Sequence, residues 1–326
     1  MNQLRALVTG GCGFVGRHFV NKLLDLDYHV TIVDNLSSGL SLEAWPVHLA
    51  ISPQKRQNVA FYLADVRSFC REISPAFDLI VHLAAVVGGR TTIEGDPLAV
   101  ATDLAIDADM FNWVVGKVRP KKLIYFSSSA AYPISHQTAE FNRPLPENLI
   151  SFRSNLGVPD LTYGWAKLTG EFLASFAVEK YGVDVNIYRP FSGYGEDQDL
   201  SYPFPSIVRR IANRESPLVV WGSGRQLRDF IHIDDIVDAV LASKDRLSPG
   251  EALNLGSGIG TSFVELAAIA CSVFGHSAKI ANDSSKPEGV FARVGDCSRM
   301  FQFYVPKIKL DQGLERAFNF QMALAH

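Results

Sequence analysis

The sequence has few cysteines, no long apolar run and no marked excess of either charge. A formal net charge of −3 over 326 residues, with no run of Lys and Arg, argues against a nucleic-acid partner and a membrane-binding patch. The longest apolar run, residues 79–87, is too short to cross a bilayer. The first predicted strand begins too close to Met1 for a signal peptide to precede it. These absences predict a cytoplasmic protein that associates with neither nucleic acid nor membrane.

The cysteine spacing excludes two further classes of protein. No Cys-x-x-Cys pair occurs, so the sequence predicts neither a zinc knuckle nor a disulfide framework, and no metal site is expected. Reduced, buried thiols are the preferred interpretation for all four cysteines, which are Cys12, Cys70, Cys271 and Cys297.

What the chain does have is an ordinary globular composition with alternating strands and helices. Apolar residues make up 47% of the chain and charged residues 20%, which is typical of a protein with a substantial core. Alternation of β and α segments predicts a parallel sheet covered on both faces, an α/β fold of the Rossmann-like, doubly wound kind. Strands are predicted near residues 4–9, 29–33, 59–63, 78–83, 122–126 and 183–188, with long helices at 98–118 and 162–181.

A glycine-rich turn follows the first strand directly. Gly10, Gly13 and Gly16 form a G-x-x-G-x-x-G pattern between the strand and a helical run. Glycine permits close approach of the backbone to a pyrophosphate at a helix N-terminus, where N–H groups point outward. Asp34 ends the second strand, 18 residues beyond Gly16, near the spacing at which a carboxylate meets a ribose 2′-hydroxyl. This pattern predicts NAD rather than NADP; the alternative is a glycine turn that binds nothing.

Tyr163 and Lys167 lie four residues apart in a predicted helix. That spacing places a phenol and an ammonium on one face. A nearby cation favours a phenolate and lowers the pKa of the tyrosine. The pair is therefore a candidate proton-transfer site, although such pairs also occur by chance on many helices.

The composition changes after Pro190. Residues 191–205 are rich in Gly, Pro, Ser and acids and are predicted to form a long functional loop. We expect a Rossmann domain from residues 1–190 and 229–258. The remaining residues, 191–228 and 259–326, would form a smaller α/β lobe that binds substrate.

Nine motifs give the chain a resemblance that runs nearly from end to end. Together they resemble the extended short-chain dehydrogenase/reductase family, the NAD-dependent nucleotide-sugar epimerases and dehydratases. The motifs are TGGCGFVG at 9–16, VDNLSSG at 33–39, ADV at 64–66, HLAA at 82–85, FSSSAAYP at 126–133, YGWAK at 163–167, YRPFSGYG at 188–195, RDFIHIDD at 228–235 and NLGSG at 254–258.

The resemblance implies a set of NAD-binding residues. The pyrophosphate would be wrapped by the glycine turn, the adenosine ribose held after the second strand, adenine flanked by an Asp-Val pair, and the cofactor channel lined after the fourth strand. Asp65 has an alternative reading as a helix N-cap. The pyrophosphate residues are Gly10, Gly13, Phe14, Val15 and Gly16, and the ribose residues are Asp34, Asn35, Ser38 and Gly39. Asp65 and Val66 would flank adenine, and Leu83, Ala84 and Ala85 would line the cofactor channel.

The resemblance also implies the catalytic residues. Tyr163 would take a proton from a sugar hydroxyl, most often O4, while Lys167 would bind the nicotinamide ribose and keep the phenolate charged. Ser128 would hydrogen-bond the sugar oxygen, with Ser127 and Ser129 as adjacent alternatives. His232 is expected to be structural rather than catalytic.

The substrate implied is a nucleotide-diphosphate sugar. Arg228 and Arg293 match positions that hold the diphosphate, and guanidinium is a planar donor fork suited to phosphate oxygens. For each, the alternative is a surface ion pair. Trp221 would stack on the nucleotide base or serve as a core aromatic. Ser129 and Ser192 are also expected to contact the substrate, and Ser192 replaces the asparagine usual in the R-P-F-N motif.

Residues beside Ser128 indicate the branch of the family. Ser129 and Ala130 stand where 4,6-dehydratases of the family carry an Asp-Glu pair. Ala130 also stands where the GDP-sugar 3,5-epimerases carry a cysteine. C4 epimerisation, which needs neither group, is therefore the first choice.

Other features favour the alternatives. Residues 86–89, 131–133 and 286–289 resemble the GDP-sugar branch, so a GDP-sugar 3,5-epimerase or 4-ketoreductase is the alternative function. A non-catalytic NAD(P)-sensing protein is a more remote one, because such proteins usually lack the Tyr-x-x-x-Lys pair. The family commonly pairs through its two long helices, which predicts a homodimer.

Overall fold

The computed structural model describes residues 3–73, 75–86 and 95–324. It contains thirteen described strands. Through the first half of the chain, strands alternate with helices. The strands are β1 Arg5–Thr9, β2 His29–Asp34, β3 Val59–Leu63, β4 Leu79–His82, β5 Lys122–Phe126, β6 Val185–Pro190, β7 Ser192–Tyr194, β8 Leu218–Trp221, β9 Leu227–His232, β10 Ala252–Leu255, β11 Gly260–Ser262, β12 Ile280–Asp283 and β13 Ala292–Arg293.

The helices correspond closely to those predicted. The predicted helix at 98–118 is present as two helical segments followed by a π-helical turn, Val114–Val118. The described helices are α1 Phe14–Asp25, α2 Pro53–Arg56, α3 Val66–Glu72, α4 Pro97–Val100, α5 Thr102–Trp113, α6 Leu161–Tyr181, α7 Pro203–Ala212, α8 Ile233–Ser243, α9 Phe263–Val273 and α10 Leu310–Leu324.

A parallel sheet forms the centre of the molecule. Seven of the described strands pair in the order β10-β6-β5-β4-β1-β2-β3, each parallel to its neighbours. Strands such as β4 and β5 are buried along their whole length, because helices cover both faces. The Rossmann-like, doubly wound fold predicted from the sequence is confirmed.

Helix α6 spans the region that carries the predicted catalytic pair. It ends where Gly182 adopts a left-handed conformation with φ +66°, which glycine tolerates without strain. The Val183 N–H then donates to the Ala177 carbonyl at 3.0 Å and closes the last turn. Helices α5 and α6 pack side by side on one face of the sheet.

The remaining strands form two small sheets away from the main one. Strand β9 pairs with β7, β11 and β13, and β8 pairs with β12. The predicted inclusion of residues 229–258 in the Rossmann domain implied that the strand in this segment, β9, returns to the main sheet. In the structure β9 belongs to the small sheet, and the helix after it, α8, packs against α1.

Strand β10 lies at the edge of the large sheet beside β6. A separate apolar cluster fills the smaller region, with Phe204, Ile207, Leu218 and Leu266 among its buried members. The division of the chain into residues 1–190 with 229–258 and residues 191–228 with 259–326 stays a prediction. Among the residues described, no helix combines the length and apolar character needed to cross a membrane.

Candidate active site

The glycine turn joins β1 to α1 by a close crossing of the backbone. Gly10 has φ +67°, and a Cβ added to Gly16 would lie 2.1 Å from the Gly10 carbonyl oxygen, so neither position accepts a side chain without rearrangement. Gly13 is the N-cap of α1 and supplies no side-chain cap, and the first turn carries no acid. Phe14 and Val15 begin the helix. Its N-terminal N–H groups therefore have no side-chain acceptor and fit a pyrophosphate.

Asp34 lies at the carboxyl end of β2, beside the glycine turn. Its two carboxylate oxygens accept hydrogen bonds from the backbone N–H of Cys12 at 2.9 Å and of Leu36 at 2.8 Å. Asn35 accepts a hydrogen bond from the Ser37 N–H at 3.0 Å, and Ser38 follows in the same turn. The carboxylate thus shapes the turn and retains lone pairs for a ribose hydroxyl.

Two further features of this edge of the sheet fit a dinucleotide. Gly39 packs so closely that an added Cβ would lie 2.9 Å from the Cys12 Cβ. Leu83, Ala84 and Ala85 follow β4 directly, and an added Cβ on Gly10 would lie 2.9 Å from the Ala84 nitrogen. On the geometry of the chain itself, this edge of the sheet fits NAD.

Asp65 has the capping role that the sequence left open as an alternative. It is the N-cap of α3, and its carboxylate accepts a hydrogen bond from the Arg67 backbone N–H at 2.8 Å. The Arg67 side chain donates to the same carboxylate at 2.7 Å, and this hydrogen bond lowers the pKa of Asp65. Val66 is buried as the first residue of the helix. Contact of Asp65 and Val66 with adenine stays a prediction.

Tyr163 and Lys167 occupy adjacent turns of α6, as the spacing predicts. The Lys167 ammonium lies 5.8 Å from the ring centre of Tyr163 and 5.7 Å from that of Tyr125. Lys167 is buried, whereas Tyr163 is partly exposed. The helix therefore presents the phenol to a cavity and keeps the ammonium beneath it.

Ser128 is brought to Tyr163 by the turn that follows β5. It caps the short helical turn Ser129–Ala131, and its Oγ accepts a hydrogen bond from the Ala130 N–H at 3.1 Å. The Ala130 carbonyl accepts a hydrogen bond from the Asp160 N–H at 3.0 Å, at the start of α6. Gly164 permits this approach, since a Cβ there would lie 2.4 Å from the Ala130 carbonyl oxygen.

The charge balance at Tyr163 differs from the simple expectation. Burial raises the pKa of Tyr163, and the opposing effects of the Lys167 charge and a hydrogen bond with Ser128 do not fully offset it. Burial alone would lower the pKa of Lys167, but the negative charges of the Asp107 and Asp103 carboxylates, and of Tyr163 when it ionises, together raise it. Lys167 is therefore held as an ammonium, while Tyr163 is a neutral phenol in the protein alone.

A cavity of about 380 Å³ opens in front of Tyr163 and extends toward the smaller sheets. It brings together residues that are distant in sequence, and Ser129 lies beside Ser128 in its wall. The predicted catalytic and substrate residues that line it are Ser128, Ser129, Tyr163, Ser192, Trp221, Arg228 and Arg293.

Arg228 and Arg293 are held in the cavity wall by contacts within the chain. Arg228 donates to the carbonyl oxygens of Leu227 at 2.7 Å and Val290 at 3.0 Å. Arg293 donates to the Gln137 side chain at 2.7 Å and forms a 2.7 Å ion pair with Asp160. Both guanidinium groups are thus positioned, and their binding of a diphosphate stays a prediction.

The exposure and contacts of Trp221 and His232 distinguish between the roles proposed for each. Trp221 is 46% exposed at the end of β8, with the Lys286 ammonium 5.7 Å from its ring centre, so it is not a core aromatic. His232 is fully buried and caps α8, where its Nδ1 accepts a hydrogen bond from the Asp234 N–H. This position is structural, as expected.

Sequence reasoning missed two residues near Tyr163. Tyr202 lines the same cavity, and burial raises its pKa, with ionised Tyr163 contributing in the same direction. Its position in the loop predicted to be functional was the available signal. Asp103 lies buried on α5 and interacts electrostatically with Lys167. No local pattern marks it, because it meets α6 only through the packing of two helices.

One group of potential metal ligands occurs in the described part of the chain. Ligand atoms of His18, His48 and Asp197 lie within 4.8 Å of one another. Both ring nitrogens of His18 face carboxylates, those of Asp197 at 3.0 Å and Asp234 at 3.4 Å. These contacts raise the pKa of His18 to about 9, and a protonated imidazole does not bind a metal.

Comparison with known proteins agrees with this geometry. The chain is 27% identical to a probable GDP-L-fucose synthase 1 of Oryza sativa subsp. japonica, an alignment covering 97% of this chain and 91% of the relative. A UDP-N-acetylglucosamine 4-epimerase from Methanobrevibacter ruminantium has 26% identity and a TM-score of 0.81, with 99% of this chain and 100% of that chain covered.

A second solved structure has the same fold. It is a UDP-glucose 4-epimerase from Thermotoga maritima with UDP-glucose, which has 24% identity and a TM-score of 0.83 and covers 99% of this chain and 100% of its own. The family model described as "NAD dependent epimerase/dehydratase family" matches residues 6–256. The chain therefore belongs to the NAD-dependent epimerase/dehydratase family, whose cofactor is NAD.

Proposed function

We propose that the protein is a nucleotide-sugar 4-epimerase that acts through a transient 4-keto sugar. When bound, NAD would supply the hydride acceptor and the hydride donor at C4. Tyr163 takes the proton of the sugar O4 hydroxyl as the hydride leaves C4, and gives the proton back when the hydride returns. No net oxidant or reductant is consumed.

Each catalytic side chain has a distinct task in this proposal. Ser128 hydrogen-bonds the reacting oxygen and positions it against the Tyr163 phenol. Lys167 stays charged beneath that phenol and stabilises the phenolate when it forms. Burial raises the pKa of Tyr163, and the positive charge of a bound oxidised nicotinamide would act in the opposite direction and favour proton removal.

The observation that carries the choice of reaction is the composition of the cavity wall beside Ser128. Ser129 and Ala130 follow it, and neither is able to protonate or deprotonate a carbon next to the ketone. No cysteine lines the described part of the cavity. Because neither residue directly after Ser128 can promote dehydration or 3,5-inversion, hydride return after rotation of the sugar is favoured.

The proposed substrate is a nucleotide-diphosphate sugar. The sugar would lie against Tyr163, Ser129 and Ser192, with the diphosphate between Arg228 and Arg293. Trp221 also lines the cavity, is 46% exposed and offers a ring face to the base. In this arrangement residues 1–190 and 229–258 hold NAD, and residues 191–228 and 259–326 hold the nucleotide.

The second candidate function is a GDP-sugar 3,5-epimerase or 4-ketoreductase. Similarity to the rice GDP-L-fucose synthase over 97% of this chain favours it, as does the sequence of residues 286–289. Residues 87–89, part of another stretch that resembles this branch, lie outside the described residues. A reductase consumes NAD(P)H with each turnover, whereas an epimerase recycles NAD that it retains.

The test is a panel of UDP-, GDP-, CDP- and dTDP-sugars followed by NMR. The proposal expects inversion at C4 without added cofactor, and NAD released from the purified protein on denaturation. A protein that purifies without cofactor and oxidises NADPH with a keto-sugar would establish the reductase instead.

The catalytic assignment has its own variant and matched control. Tyr163→Phe should lower turnover by roughly two orders of magnitude or more while NAD binding is kept, because only the proton-transfer group is lost. Tyr181→Phe, at the exposed end of the same helix, should leave turnover unchanged. Equal turnover in wild type and Tyr163→Phe would refute the assignment and favour a non-catalytic NAD(P)-sensing protein.

We also propose that two copies pair through α5 and α6. Several large apolar side chains on these two helices remain exposed. Contiguous apolar surface of this kind is unusual on monomeric proteins. The exposed side chains include Leu104 on α5 and Trp165, Phe172 and Phe176 on α6. A four-helix bundle with a second copy would cover them.

A further inference from the structure

Two carboxylates lie on α5, facing the catalytic lysine. Asp103 is 0% exposed and Asp107 is 1% exposed. Both raise the pKa of the Lys167 ammonium, which is itself buried. One negative charge would suffice to balance that ammonium, so the presence of two calls for a physical reason.

Asp107 is fully engaged by neighbouring side chains. One of its oxygens lies 3.1 Å from His82 Nε2, and the other accepts a hydrogen bond from the Tyr125 hydroxyl at 2.5 Å. His82 in turn lies 2.8 Å from the Thr9 hydroxyl through Nδ1. Asp107 is thus fixed in a network that spans β1, β4 and β5.

Asp103 is engaged through one oxygen. That oxygen accepts a hydrogen bond from the Val86 backbone N–H at 2.5 Å, just after the segment that lines the cofactor channel. Its other oxygen is buried and has no hydrogen-bond partner among the described residues. A buried carboxylate with an unsatisfied oxygen is costly, which suggests that its charge serves the site rather than the fold.

We propose that Asp103 is a positioning residue that acts through Tyr163: its buried carboxylate, held by the Val86 N–H through one oxygen and without a hydrogen-bond partner among the described residues at the other, controls when the phenol releases its proton. This inference rests on the proposed role of Tyr163 as the proton-transfer group. Tyr163 then remains a neutral phenol until the positive nicotinamide is in place. Proton removal is thereby coupled to the oxidised cofactor.

The charges around Tyr163 determine the direction in which Asp103 should shift its pKa. Lys167 and Ser128 favour the phenolate, whereas Asp103 and Asp107 disfavour it. Burial raises the pKa of Asp103 to about 6, so it is charged at neutral and alkaline pH. Lys167 remains an ammonium without Asp103, because Asp107 still faces it. Among the described residues, the other titratable groups around this cluster are His82 on β4, Tyr125 on β5, Glu171 on α6 and Tyr202 before α7.

The test uses Asp103→Asn, which keeps the shape and removes the charge. The near-ultraviolet absorbance of NAD-loaded protein is measured as the pH is raised. Subtracting the titration of the matching Tyr163→Phe protein leaves the ionisation of Tyr163. The midpoint should move to lower pH by about one unit in Asp103→Asn. The acid limb of turnover against pH should move the same way.

Asp109→Asn is the matched control. Asp109 lies on the same helix but pairs with Arg71 at 3.0 Å on the outer face, so its replacement should leave the midpoint in place. Asp103→Ser is a second neutral variant in case the asparagine amide is not tolerated. An unchanged or raised midpoint in the neutral variant would overturn the proposal, as would an equal shift in Asp109→Asn.

The titration separates this inference from the proposed function because it needs no turnover. A lowered midpoint in a protein that inverts no nucleotide-sugar would support the role of Asp103 and reject the epimerase. Inversion at C4 with an unmoved midpoint would do the reverse.

Discussion

At the scale of single residues, a buried ion pair supports the turn that carries Ser128. Arg189 is 3% exposed and Glu171 is 0% exposed, and they are joined by two hydrogen bonds of 2.9 and 2.7 Å. Glu171 also accepts a hydrogen bond from the Ser127 hydroxyl, and Arg189 donates to the Tyr132 hydroxyl at 3.0 Å. Both ends of the Ser128 turn are thereby tied to this pair.

Removal of one partner should therefore cost both stability and activity. Arg189→Met leaves the Glu171 charge buried without its partner, which costs about 3–5 kcal/mol of unfolding free energy for pairs of this kind. Urea denaturation measures the loss, and turnover should fall because Ser128 is no longer held. Arg71→Met is the control: its exposed pair with Asp109 should contribute less than about 1 kcal/mol. Similar losses in the two variants would show that burial of the pair is not what matters.

At the scale of elements, the local patterns were the ones that the sequence predicted well. The glycine turn and the Tyr163–Lys167 pair depend on residues close in the chain, and the structure places both as expected. Pairing of β9 with the small sheet was not predicted, because strand pairing depends on distant segments. The direction of the Tyr163 pKa shift could not be predicted from the sequence either, because it depends on burial and on Asp103 from another helix.

The exposed faces of α5 and α6 give an element-scale prediction. Phe172 is 41% exposed and lies next to Phe152 and Phe176, with ring centres 5.1 and 4.8 Å apart. If these rings meet a second copy, Phe172→Glu should bury a charge at the interface and produce a monomer. Light scattering coupled to size exclusion would show the mass fall by half.

A control for this prediction comes from another exposed apolar residue. Val47 is 94% exposed in a segment remote from α6 in the chain, so Val47→Glu should keep the mass of the wild type. A wild-type protein that already elutes with the mass of one chain would reject the proposed dimer.

At the scale of the whole molecule, a charged cluster ties α1 to the elements around the smaller sheets. His18 on α1 lies between Asp197, from the loop before α7, and Asp234 in the first turn of α8. Arg17 on α1 adds an ion pair of 2.6 Å with Asp197. Hydrogen bonds with the two carboxylates outweigh burial and raise the pKa of His18 to about 9. The same contacts hold the pKa of Asp197 at about 2.

This cluster predicts how stability changes with pH. Because the pKa of His18 is higher in the folded chain than its usual 6.5, its contribution is complete below about pH 6.5 and is lost as the pH rises through about 9. Asp197 has a lowered pKa, so its contribution persists above about pH 4. Unfolding free energy should therefore fall between about pH 6.5 and 9, by at most about 3 kcal/mol from His18.

Urea denaturation across this pH range tests the prediction with a variant that lacks the titrating group. His18→Gln should be less stable than wild type at pH 6.5, and its stability should fall less steeply toward pH 9, because the amide carries no charge to lose. His136→Gln, at an exposed position, should keep the wild-type slope. Parallel pH dependences in wild type and His18→Gln would mean that the attachment of α1 to the loop before α7 and to α8 does not depend on the charge of His18.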